Sequence, residues 1–250
     1  MVEILLLIVL GIFIGFLSGF FGIGGGTILV PIMLLFGYSM SESVGIAIIP
    51  MMLGSVFGSL INIKHKMFEV KPAIILGLGG FVGALSSGFV MKLAPEIVLL
   101  CILIAIQLFN VIKMLTNIAY TGDKAPIESK GLLFLLGLIV GLICISVGVG
   151  GAIIILPTLI VFFRYDIKRA VSTSLFFVIF SSTSGLISLS INGLVNYKIG
   201  LLIAVGALFG VYFGTKAARN IDKTLQKKLL VLLSICILFM LFYKFVNLIG

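Results

Sequence analysis

Two glycine clusters are the residues of this chain best suited to chemistry. The first holds Gly22, Gly24, Gly25 and Gly26, followed by Pro31; the second holds Gly148, Gly150 and Gly151, followed by Pro157. Matched residues of the two clusters keep one spacing, 126 residues. Each cluster interrupts an apolar run that otherwise reads as a membrane helix. Glycine lacks a Cβ and accepts positive φ, so the chain can reverse or unwind at these points. Backbone N–H groups freed by such a break must face protein, water or a ligand. Short helices beginning near Thr27 and Ala152 then present open N–H groups and a positive dipole end, which suits an anion. The expected binding set is Gly24, Gly25, Gly26 and Thr27 from the first break and Gly150, Gly151 and Ala152 from the second; a Cβ at Gly25 or Gly151 would penalise any left-handed backbone there. Close packing of helices through small residues is the other use of the same glycines. Paired breaks at corresponding positions of two membrane halves are the best sequence pointer to a transporter's binding site.

A second polar feature lies in the segment 169–191, which carries Ser172, Thr173, Ser174, Ser181, Ser182, Thr183 and Ser184. Hydroxyls at this density line a polar path or bond to helix carbonyls; Thr173 and Ser174, near the segment start, are the candidates for contact with an anion. Asn62, Gln107 and Asn110 are amides in or near apolar segments and read as interhelical hydrogen-bonding residues. Cys101, Cys144 and Cys236 form no CxxC pair and read as packing residues. The single histidine, His65, sits in a basic connector. No HExxH, paired metal-ligand spacing, P-loop or dinucleotide fingerprint is present, so no metal, no cofactor and no enzymatic activity are expected. All eight acidic residues fall at segment ends or in loops, which leaves no plain mid-membrane carboxylate to carry a coupling proton or sodium ion.

The elements that must hold these residues follow from composition. Hydrophobic residues make up 61% of the 250-residue chain and charged residues 10%, with a mean hydropathy of +1.38. Soluble domains carry about 25% charge. Apolar runs of the length needed to cross a bilayer recur throughout. An all-α polytopic membrane protein is expected, with eight to ten hydrophobic helices in the lipid bilayer. The segments are about 2–21, 27–37, 43–63, 72–92 and 96–116, then 131–147, 152–163, 169–191, 198–218 and 226–246. The first run, preceded by the acidic Glu3, reads as a retained helix rather than a cleaved signal. The second segment of each half rises only about 16–18 Å, so it is either a tilted span or one arm of a re-entrant hairpin.

The expected organisation is a first transmembrane repeat over 1–116, a cytoplasmic linker over 117–130 and a second repeat over 131–250. The offset between repeats is 126 up to the prolines and 127 beyond; it pairs Gly15 with Gly141, Tyr38 with Tyr165, Val44 with Val171, Ser55 with Ser182, Gly79 with Gly206 and Gly83 with Gly210. If successive segments alternate across the membrane, only Lys92, Lys198 and Lys244 of the 17 basic residues fall on one side. That bias makes the other side cytoplasmic and puts both termini outside. It also accounts for the net charge of +9 without a nucleic-acid partner. Five segments per repeat is odd, so the second repeat enters from the opposite face and the repeats are inverted.

These residues resemble the TauE/SafE family of membrane proteins, the sulfite exporter or TSUP family, over nearly the whole chain. The resemblance rests on the two glycine breaks with their prolines, on Ala170-Val171-Ser172-Thr173-Ser174-Leu175, and on Gly193 and Tyr197 followed by Gly206, Gly210 and Gly214. It implies a multi-pass protein of the cell membrane that moves sulfur-containing anions: sulfite, thiosulfate, or sulfonates such as sulfoacetate. Assembly into a homo-oligomer is left open. Two departures stand out: Gly45-Ile46-Ala47 replaces the family's threonine-serine pair in the first half, and Ala152 stands opposite Gly26. A different class of role, a non-transporting membrane partner, assembly factor or sensor on the same fold, is the alternative; the short loops leave little room for a receptor domain.

Overall fold

The computed structural model describes residues 2–21, 24–64, 70–115, 127, 129–165 and 167–249. Among the described residues there are eleven helices and no strand: α1 (Val2–Phe21), α2 (Gly26–Leu35), α3 (Met40–Lys64), α4 (Val70–Ala84), α5 (Ser87–Leu93), α6 (Glu96–Leu115), α7 (Lys130–Ser146), α8 (Ala152–Val161), α9 (Ile167–Ile191), α10 (Tyr197–Asn220) and α11 (Lys223–Ile249). Seven spans among them are long and apolar enough to cross a membrane. The protein is thus an all-α polytopic membrane protein. His65 and most of the 117–130 linker lie outside the described residues.

One expected segment divides. The run 72–92 reads as continuous in sequence, but its helix stops at Ala84 and restarts at Ser87. The interruption is held by α9. Ser188 Oγ accepts from Gly88 N at 3.0 Å and itself donates to Leu85 O, so the backbone groups that the break frees find a partner. Counted as one crossing, α4 and α5 bring the total to ten helices.

Helix pairing depends on glycine. A Cβ on Gly11, Gly15 or Gly19 of α1 would collide with the carbonyls of Ile203, Ala207 or Val211 of α10, and Gly206, Gly210 and Gly214 face the carbonyls of Ile8, Ile12 and Phe16 in return. The α4–α7 pair repeats this: Gly79 and Gly83 lie on the carbonyls of Phe134 and Leu138, and Gly137 and Gly141 on those of Leu76 and Gly80. Lipid tails are as apolar as leucine, so no hydrophobic force drives such helices together. Close approach through small residues supplies the dispersion contact instead.

The order of these contacts gives helix directions. α1 runs parallel to α10, and α4 parallel to α7. α9 runs with α4, because Ser184 and Ser188 reach Phe81 O and Leu85 O in the same order. α3 runs with α10, Gly45 lying against Leu194 and Ile46 against Gly200. At the centre α3 and α9 cross in opposite senses, Ile48 lying near Gly185 while Met51 and Val178 meet around Gly150. Exchanging each first-half helix for its second-half counterpart turns the α1–α10 contact into α7–α4, α3–α10 into α9–α4, α2–α3 into α8–α9 and α2–α11 into α8–α6; all of these pairs are in contact. On the outside, Leu5, Leu6, Phe209, Phe239 and Val246 are each more than half exposed, an apolar face that belongs in lipid.

Gly15→Ala and Gly79→Ala should each push a helix pair apart and destabilise the protein by about 1–3 kcal/mol, the usual range for overpacking. At Gly131 a new Cβ meets nothing within 4 Å, so Gly131→Ala should leave the protein unchanged. Thermal unfolding of detergent-purified variants checks this; three equal midpoints would contradict the packing described.

Candidate functional site

The first break follows Phe21; Gly22 and Ile23 lie outside the described residues. Gly24 takes φ +80°. Gly25 follows at φ −64°, ψ −29° and caps α2, which begins at Gly26. In the second break Gly148, Gly150 and Gly151 all have positive φ, at +74°, +76° and +82°, and α8 begins at Ala152. Gly24 and its counterpart Gly150 therefore share a left-handed backbone, whereas Gly25 and Gly151 do not. The first break already has helical dihedrals at Gly25, while the second has one more left-handed residue, Gly151, before its helix.

The two breaks meet. A Cβ on Gly26 would run into Gly148 O, and Thr27 Oγ1 donates a long hydrogen bond to Val149 O at 3.5 Å. Met51 fills the space between them: its Sδ lies 2.9 Å from the Cβ position of Gly26 and 2.8 Å from that of Gly150. Helical bonding resumes with Ile28 N and Leu29 N on Gly25 O, and with Ile154 N and Ile155 N on Gly151 O. The N–H groups of Gly26, Ala152 and Ile153 precede these bonds and have no acceptor within their own helices. Both ends carry the positive pole of their helix.

Two cavities adjoin this junction. The first, about 210 Å³, is lined by Gly24 and Ala152, one from each break, with Ser18, Ser55, Thr215 and Gln226 as its polar walls. The second, about 230 Å³, shares Phe21, Ala152 and Val171 with the first and extends along α8 to Asn110, Lys113 and Ser174. Among the described residues no carboxylate lines either cavity, and Lys113 is the one charged residue on their walls.

Of the residues expected from sequence, Gly24 and Ala152 line the first cavity, and Ala152 and Ser174 the second. Gly26 and Thr27 lie in the contact between breaks. Gly25 lines neither cavity, and Gly150 and Gly151 sit beneath Met51 and Phe177. Thr173 is buried, and its Oγ1 has no hydrogen-bond partner among the described residues. Ser172 Oγ is likewise without a hydrogen-bond partner among the described residues, whereas several other hydroxyls of α9 serve backbone. Ser174 donates to Val171 O at 2.9 Å, Ser181 and Ser182 to Val178 O, and Ser184 to Phe81 O on α4. Gln226 was not legible as a wall residue. It stands beside Lys227 and Lys228 in what reads as a basic connector, yet its Nε2 donates to Phe20 O at the end of α1. Ser18 and Thr215 carried no sequence signal beyond being hydroxyls in apolar helices.

A family model described as sulfite exporter TauE/SafE matches residues 7–241. The probable membrane transporter protein MJ0441 of Methanocaldococcus jannaschii is 30% identical over 253 residues, covering 94% of each chain. The probable membrane transporter protein YunE of Bacillus subtilis is 25% identical over 262 residues, covering 92% of this chain and 93% of its own. No solved structure matches.

The two breaks should respond differently to a single methyl group. At Gly151 a Cβ meets a left-handed backbone, which costs about 1–2 kcal/mol, and also comes within 2.6 Å of the Phe177 ring. At Gly25 the backbone is right-handed and the nearest atom is Ile14 Cγ2 at 3.8 Å. Gly151→Ala should lower the unfolding midpoint clearly, and Gly25→Ala should not. Equal losses would mean that the breaks share one backbone conformation.

Proposed function

Because the chain belongs to the sulfite exporter TauE/SafE family of membrane transporters, we propose that it is a secondary transporter or facilitator that carries small sulfur-containing oxyanions, sulfite or an organosulfonate foremost, across the cytoplasmic membrane. The observation that carries this reading is the meeting of two helix N-termini, one from each half, beside a cavity with no carboxylate among its described lining residues. An oxyanion has several acceptors and can meet N–H groups from both sides at once. Backbone dipoles supply the field without a mid-membrane cation, which on insertion scales costs about 2.5–3.5 kcal/mol. The sulfur comes from the family; the anion comes from the site.

The opposed directions of α1 and α7 support two repeats inverted about an axis through α3 and α9. The cavities are lined by residues near the end where α1, α3, α6 and α10 finish and α9 and α11 begin. Arg164, Arg169, Lys216 and Lys227 lie at that end, which supports reading it as the cytoplasmic face with both termini outside. On the opposite face the counterpart of the first cavity is closed. Ser18, Phe21, Leu175 and Gln226 correspond to Cys144, Val147, Ile48 and Leu99, and these four are at most 2% exposed. Exchange of the two conformations between repeats closes the open cavity and opens its counterpart, so that the junction of the breaks faces each side in turn.

Proteoliposomes carrying the protein should accumulate labelled sulfite or a sulfonate, excess unlabelled anion should compete, and Gly151→Leu should abolish the flux. Movement of only cations or neutral solutes under the same conditions would overturn the anion assignment. An impermeant thiol reagent should label Ser39→Cys from outside; labelling only from the cytoplasmic face would overturn the orientation.

A further inference from the structure

The second cavity holds a feature that transport by the two breaks leaves unused. Asn110 of α6 lines this cavity, is 7% exposed, and its Nδ2 has no hydrogen-bond partner among the described residues. An unmade donor in a membrane interior is expensive, and the neighbouring amide of the same helix, Gln107, does find an acceptor, Ser234 O at 3.2 Å. Lys113 lies three residues beyond Asn110, on the same helix face, and lines the same cavity with its Nζ 5.6 Å from the centre of the Phe109 ring. Across the cavity stands the N-terminus of α8, with Ala152 and Ile153 in the wall. A cation, an amide donor and a positive helix end share one space of about 230 Å³, with no carboxylate among its described lining residues.

We propose that Asn110 and Lys113 form a second anion site, in which the transported oxyanion is captured from the cytoplasmic side before it passes Phe21 to the cavity beneath the breaks. Lys113 draws the anion in, and the Asn110 amide and the α8 N-terminus replace part of its hydration shell. The site belongs to one face alone. At the offset of 127 the counterparts of Asn110 and Lys113 are Ile237 and Met240, apolar residues that cannot bind an anion. The two faces of the transporter therefore differ in how they take up substrate, although the breaks themselves recur in both halves. This proposal rests on the anion-transport reading and adds a direction-dependent affinity to it.

The test combines binding with flux. Calorimetry with sulfite on the purified full chain should give a Kd raised about tenfold, some 1.4 kcal/mol, by Lys113→Gln and by Asn110→Asp, with Lys113→Arg close to wild type. In inside-out and right-side-out vesicles the first two variants should raise KM for sulfite presented to the cytoplasmic face and leave KM from the opposite face unchanged. If Asn110→Asp fails to insert, Lys113→Gln and Asn110→Leu decide the matter. If the wild type carries sulfite while the variants keep its Kd and both KM values, the second site is wrong and the transport reading stands. If the wild type neither binds nor moves any oxyanion, both fall. A rise in KM from both faces equally would mean that Asn110 and Lys113 only support the fold.

Discussion

A backbone N–H or C=O without a partner in hydrocarbon costs several kcal/mol, and two helices of this protein are nevertheless broken inside its apolar body. The remaining structure is arranged so that those breaks never face lipid. They are set against one another, Gly26 on Gly148 O and Thr27 Oγ1 on Val149 O, with Met51 filling the gap. α3 and α9 cross at the centre to enclose them, and the glycine-packed pairs α1–α10 and α4–α7 flank that crossing. The α4–α5 interruption follows the same rule on a smaller scale, its freed groups being met by the Ser188 hydroxyl.

Sealing is incomplete on one side, and that asymmetry is where structure turns into function. Near Gly24 and Ala152 the walls stand apart and leave space beside two positive helix ends. Around Gly150 and Gly151 the corresponding walls are in contact through Phe177, Val140 and Met51. In the proposed inverted repeat, two equivalent halves have no intrinsic preference for which one opens. Small differences decide it, such as Gln226 against Leu99 and Ala152 against Gly26. Two arrangements of nearly equal free energy are what a carrier requires, since its substrate must be able to shift the balance in either direction.

The architecture was legible because helix pairing and chain breaking both use glycine, and glycine at a constant offset survives as a readable pattern. Gly15 with Gly141, Gly79 with Gly206, and Gly83 with Gly210 recur at that offset in sequence; in the fold they pack the two parallel helix pairs. Their packing role was not separable from a binding role in sequence, because both need the absence of a Cβ. The difference between Gly25 and Gly151 was illegible for the same reason: residue type permits a positive φ but does not impose it. The α4–α5 interruption carries no proline and depends on a serine about a hundred residues away. Asn110 read as one more interhelical amide, and only the fold separates it from Gln107 by giving one an acceptor and placing the other in a cavity wall. The hydroxyls of α9 read as a polar path, yet most of them bond to backbone of α9 or α4.

Alternating access requires the closed counterpart of the cavity to open, and Cys144 reports on it directly. It is fully buried here and corresponds to Ser18 on the wall of the open cavity. In a protein whose Cys101 and Cys236 are replaced by serine, an impermeant maleimide is applied to the outer face with and without sulfite. The predicted result is slow modification of Cys144 at rest, a clear acceleration while sulfite is being transported, and no modification from the cytoplasmic face. A Cys144 that stays unreactive from outside while the protein transports would contradict the exchange of open and closed cavities.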